Sequence, residues 1–209
     1  MPTASRFACL PLAVLLSCGV LRSAEAEVVA HKSFSYFDIS GDTADELDEA
    51  LNAGGPAAMG ASSRHPGATR IRFGGQATYV ESGDRCHIGG ARVTVDIVVI
   101  LPRWRDRRHA QPRLSAVWDR LSADIKRHEE RHAEIARLHA RSLEKAILSL
   151  PAERTCDLLQ DKVSGESVRN TVLHDQDQAR FDRVEATNFQ IRMQRLAQRR
   201  HSEKSEKID

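Results

Sequence analysis

Beyond its N-terminal stretch the sequence has no apolar run long enough to span a bilayer, so the body of the chain offers no candidate membrane helix. A charge excess is lacking too. The formal net charge of +2 is too close to balance to argue for a nucleic-acid partner. The one basic stretch, Arg103 to Arg113, has no aromatic platform after it and reads as a solvated connector, not an anionic-surface binder. No internal repeat is visible. Cysteine is scarce: four in all, with Cys9 and Cys18 near the N-terminus and only Cys86 and Cys156 in the body. What remains, 41% hydrophobic and 29% charged over 209 residues, suits one globular domain with a sizeable core.

The first residues read as an export signal over 1–26. Arg6 gives a short positive region, Phe7 to Leu21 is almost wholly apolar or small, and Ala24-Glu25-Ala26 offers a cleavage site. Leu15-Leu16-Ser17-Cys18 resembles a lipobox with a poor residue at Leu16, so membrane anchoring is expected only if Cys18 is lipidated. The expected location is periplasmic or secreted, with residues 27–198 forming the domain and 199–209 a charged, frayed tail. Two cysteines left in an exported domain favour a Cys86–Cys156 disulfide, worth about 2–4 kcal/mol.

Val28 to Ile39 reads as an extended segment or edge strand. Thr43 precedes the acidic pair Asp45-Glu46 and a short helix with Leu47, Ala50 and Leu51 on one face. Asn52 to Gly67 is a loop, and Thr69 to Val80 alternates weakly. From Cys86 to Leu101 the alternation sharpens, with Val93, Val95, Ile97, Val99 and Leu101 on one face of a central strand. Leu114 to Leu150 is a long helix, stopped by Pro151. Thr155 or Asp157 caps the last helix. The fold class is therefore α+β: a small antiparallel sheet followed by two long packed helices.

The long helix contains His128-Glu129-Glu130-Arg131-His132, an H-E-x-x-H pattern. Histidines four apart lie one above the other on a helix and can share one zinc ion, leaving the intervening Glu129 to take a proton from a zinc-bound water. Both histidines fall on the apolar stripe that runs through Trp118, Leu121, Ile125, Ile135 and Leu143. The bland alternative is a helix of packed histidines whose Glu129, Glu130 and Arg131 are solvated charges. A catalytic zinc also needs a third protein ligand. His139 follows His132 by seven residues with no intervening glycine, about 10 Å further along an unbroken helix, and is read as a core or supporting histidine. The third ligand is expected on the last helix, among Asp182, Glu185 and His174, with Asp182 preferred.

The order of several weak marks resembles a bacterial family called domain of unknown function 922, described as predicted secreted zinc-dependent proteases. The marks are Ile39-Ser40-Gly41 with Thr43 and Leu47, Gly55-Pro56, Cys86, Leu101-Pro102-Arg103-Trp104, Trp118, the histidine motif, Cys156, Gln178 and Phe181-Asp182. The resemblance implies an α+β domain with a zincin-like active-site helix, zinc on His128 and His132, and Glu129 as base. It supplies no substrate. The family's pattern continues after its Asp with T-x-H-G, whereas this chain has Thr187 and Asn188 where that His and Gly would stand. The expected function is an exported zinc metallopeptidase acting on peptide or protein substrates as a monomer. The alternative is a catalytically degraded envelope protein that binds a partner or metal through the same fold.

Overall fold

The computed structural model describes the backbone of residues 25–56 and 65–205, and side chains over 28–56 and 65–188. The export-signal reading, with Cys18, lies outside the described residues except for Glu25 and Ala26, whose backbone opens the first strand. The elements are β1 (Glu25–Ile39), α1 (Ala44–Gly54), β2 (Ala68–Ser82), β3 (Arg85–Trp104), α2 (Pro112–Leu148) and α3 (Cys156–Ser205). Among the described residues no helix is long and apolar enough to cross a membrane.

The class is α+β, but the sheet is mixed, not antiparallel. Its order is β1-β3-β2, with β1 parallel and β2 antiparallel to β3. The reason lies in β3, whose Val93, Val95, Ile97, Val99 and Leu101 are all buried. The most apolar strand takes the centre, so it inserts between β1 and β2. The tight turn at Gly83, with φ of +64°, makes β2 and β3 a hairpin, and α1 lets β1 run in the same direction as β3.

Helix α2 lies across the buried face of β3. Ala133, Ala136 and Ala140 are fully covered, and Ile125, Leu143 and Ile147 fill the space beside them. Small side chains at the contact let the helix approach the sheet closely, which fixes its rotation. A second cluster pins the start of the helix: Trp118 meets Trp104 edge-on at 5.8 Å, and Ile39, Leu47 and Leu51 pack around them. The Trp104 indole nitrogen donates to the Gly41 carbonyl at 3.1 Å.

Helix boundaries differ slightly from the sequence reading. Pro112 occupies the first turn of α2, where its missing N–H costs nothing, so the helix starts before Leu114. Helix α1 takes in Asn52 to Gly54, read above as loop, and the backbone of α3 is helical to Ser205, into the segment read as a tail. Thr43 caps α1 by accepting from the Glu46 N–H at 3.2 Å, and the Thr155 hydroxyl accepts from Leu158 N–H at 3.3 Å. Helix α3 packs along α2 and is tied to the sheet at its first residue, where Cys156 and Cys86 form a disulfide. Three arginines of the connector are paired with acids: Arg103 and Arg105 with Asp38 at 2.7 and 3.0 Å, Arg107 with Asp119 at 2.6 and 2.7 Å.

Candidate metal centre

Because Ala133, Ala136 and Ala140 face the sheet, the stripe carrying His128 and His132 is turned toward α3. Their side chains keep 28% and 13% of their exposure, so both are mostly covered but reachable from solvent. The two Nε2 atoms stand 3.1 Å apart. Asp182, on the facing stretch of α3, places Oδ1 at 3.0 Å from His132 Nε2 and 3.4 Å from His128 Nε2. Phe181, its neighbour, packs against both imidazoles with ring centroids at 4.9 and 5.1 Å.

Three donor atoms therefore form a triangle with edges of 3.0, 3.1 and 3.4 Å. Tetrahedral ligands at zinc distances of about 2.0–2.1 Å stand about 3.3 Å from one another. The match has a chemical reason behind it. Two unprotonated imidazole nitrogens and a carboxylate oxygen, aimed at one point, would all be acceptors. Such a cluster requires either a shared proton or a cation. The residues fit a divalent metal of the borderline, zinc-like kind: two imidazoles and one carboxylate, with the carboxylate on the exposed side.

Electrostatics tell the same story from the metal-free side. Burial pushes the His132 pKa down, but the Asp182 carboxylate and Gln178 outweigh it, and the net shift is upward. Burial acts on Asp182 in the other direction, and its bonds to His128 and His132 overcome that and hold its pKa well below the usual carboxylate range. Without metal, a proton would thus sit on the histidine side of the cluster.

Glu129 is the deepest residue of the motif, only 5% exposed. Glu129 is therefore not a solvated charge, whereas Glu130 and Arg131 are surface charges paired with Lys126 and Glu134, as the bland alternative has them. The Glu129 Oε2 accepts from the Thr69 hydroxyl at 2.9 Å, and the same hydroxyl also faces the Glu129 carbonyl oxygen at 2.9 Å. Gly67 makes room for the side chain. A Cβ there would come within 2.8 Å of Ile125 Cγ2 and 3.0 Å of Glu129 Cγ. Burial raises the Glu129 pKa, with the Thr69 bond and the neighbouring histidines opposing. A carboxylate whose proton affinity is raised by burial, beside a cluster of possible metal ligands, is suited to proton transfer. A cleft of about 420 Å³ is lined by Glu129, His128 and Asp182 together with Pro66, Leu121 and Ile125.

Among the expected third ligands, Asp182 meets the two histidines and the others do not. Glu185 is drawn to Arg127 at 3.1 Å. His174 is buried one turn below Gln178, with Phe73 edge-on to its ring at 5.0 Å. His139 bonds Asp177 at 3.0 Å and lies apart from the cluster, as helix rise requires. Thr187 is exposed and donates to the Arg183 carbonyl of its own helix at 3.2 Å. Sequence reading gave no role to Thr69 or Gly67, which lie about sixty residues before the motif, nor to Gln178 beyond a family mark. The signal for the first two was faint: a Gly-x-Thr leading into a strand.

A family model described as a bacterial protein of unknown function, DUF922, matches residues 34–190. No curated protein and no solved structure matches the chain.

Proposed function

The chain belongs to the DUF922 family of bacterial proteins of unknown function, and from that premise we propose that it is an exported zinc metallopeptidase. The observation that carries the reading is the joint geometry of Glu129 and the His128–His132–Asp182 triangle. In this reading the Nε2 atoms of His128 and His132 and Oδ1 of Asp182 hold the zinc. A zinc ion held by three protein ligands supplies Lewis acidity toward a carbonyl oxygen and acidifies water. Glu129, fixed through Oε2 by Thr69, accepts the proton of the attacking water and returns it to the leaving amine. The cleft lining of Pro66, Leu121 and Ile125 gives a peptide an apolar seat beside that carboxylate. Export agrees with the Cys86–Cys156 disulfide, a bond that persists in oxidising compartments.

The test pairs metal content with turnover. The mature chain should carry one zinc, and chelation should stop peptide hydrolysis. Glu129→Gln should keep the metal and lower turnover by about 10²–10⁴-fold. Unchanged turnover in that variant would overturn the assignment. A second reading, a non-catalytic binding protein, draws on Thr187, which leaves the site with a carboxylate on its exposed side in place of a histidine. Stoichiometric zinc with no hydrolysis across a broad peptide library would favour it.

A further inference from the structure

Gln178 sits one helical turn before Asp182, half-buried, between the metal-site helix and the interior of the α2–α3 interface. Its amide makes three contacts, and together they fix which way it points. Nε2 lies 3.2 Å from the carbonyl oxygen of His132, which can only accept, so the amide nitrogen must face it. The second N–H of the same group meets His174 Nε2 at 2.8 Å. His174 therefore presents a lone pair at Nε2 and carries its proton at Nδ1, which donates to Asp175 Oδ1 at 3.0 Å. Both amide protons are thus committed, and Oε1 is left facing His132 Nδ1. An oxygen there can only accept.

We infer that Gln178 is a positioning residue: it holds the proton of His132 on Nδ1 and so leaves Nε2 as the free lone pair that a metal requires. The inference rests on the zinc reading for its purpose, but not for its geometry. The direction of every bond follows from chemistry. Asp175 accepts from His174, His174 accepts from Gln178, the His132 carbonyl fixes the amide, and the amide oxygen accepts from the ring. Without the Gln178 oxygen, the neutral ring has a competing place for its proton. Asp182 Oδ1 stands 3.0 Å from Nε2 and would accept it there, which masks the very atom needed for coordination. Gln178 thus opposes an internal hydrogen bond that would otherwise close the site. Hydrogen-bond partners that orient a ligating histidine are typically worth 10–100-fold in metal affinity.

The experiment uses the metal-free mature chain, with ¹⁵N-labelled histidine, at a pH where His132 is neutral. Long-range ¹⁵N–¹H correlation spectra report which ring nitrogen carries the proton, and zinc affinity is measured in parallel with a competing chelator. Wild type should show His132 protonated at Nδ1. Gln178→Leu should move the proton to Nε2 and weaken zinc about 10–100-fold. Gln178→Glu keeps an oxygen acceptor at Nδ1 while giving up the N–H groups that meet His132 and His174, and should keep the Nδ1 proton. A wild-type His132 protonated at Nε2, or an Nδ1 proton that persists in Gln178→Leu, overturns the inference. Should Gln178→Leu fail to fold, the wild-type and Gln178→Glu spectra still decide. If the tautomer is as stated but wild type binds no zinc, the zinc reading falls and the assignment of Gln178 to the ring proton stands.

Discussion

Replacing Thr69 by Val removes one oxygen and nothing else of comparable size, yet it reaches the reacting carboxylate. The hydroxyl donates to Glu129 Oε2 at 2.9 Å and lies at the same distance from the Glu129 carbonyl, so its single proton is shared. A hydrogen bond to a charged group is worth about 1.5–3 kcal/mol, and sharing favours the lower end. That energy stabilises the ionised form of Glu129. Losing about 1.5 kcal/mol raises the carboxyl's proton affinity by roughly one pH unit, since a unit is 1.36 kcal/mol. Glu129 must be ionised to accept a proton, so the acid limb of the kcat/KM profile should move upward by about one unit in Thr69→Val. The rate on the plateau should change less. The ¹³C titration of Glu129 in the metal-free protein checks the same shift without a substrate. An acid limb that stays in place, or moves down, would refute the proton-acceptor role assigned to Glu129 and its bond to Thr69.

Other expectations follow from the same contacts. Asp182→Asn keeps the size of the third donor but removes its charge, and zinc affinity should fall by more than about 100-fold while the fold is retained; isothermal titration checks this. In the metal-free chain, His132 has a raised pKa, so its pairing with Asp182 stabilises the fold below the unfolded value of about 6.5 and is lost as pH rises through the folded value. The lowered Asp182 pKa means its share is present above about 3.9 and is lost only as pH falls through its much lower folded value. Zinc needs the deprotonated ring, so between pH 6 and 8 zinc affinity should rise while this part of the metal-free stability declines; thermal melts in chelator and competition titrations would expose parallel trends as a contradiction. Removing the disulfide as Cys86→Ser with Cys156→Ser opens a link with a sequence separation of 70, and urea unfolding should report a loss approaching about 4 kcal/mol, with a loss under about 1 kcal/mol contradicting it.

The helix carrying the site was legible because periodicity and motif agreed on the same stripe: Ile125, His128, His132 and Ile135 are three and four residues apart. The capped helix after Thr43 was legible for a local reason as well. Sheet order was not. Pairing of β1 with β3 joins Glu25 to Gly90 and Ile39 to Trp104, a choice made by which strand is buried best once the helices have packed. Asp182 could be narrowed to a candidate on the last helix, but only the rotation of α3 against α2 separates it from Glu185, which turns to Arg127 instead. Thr69, Gly67 and Gln178 were hidden for a further reason. Their roles lie in contacts across 46 residues for Gln178 and 60 for Thr69, and neither composition nor period carries that information.

The central claim is that His128, His132 and Asp182 converge on one metal ion. Crystals of the zinc-loaded mature chain, with anomalous data collected on both sides of the zinc absorption edge, test it directly. One peak is expected at zinc-ligand distance, about 2.0–2.2 Å, from His128 Nε2, His132 Nε2 and Asp182 Oδ1. No peak between these atoms, or a peak whose ligands exclude Asp182, would contradict it.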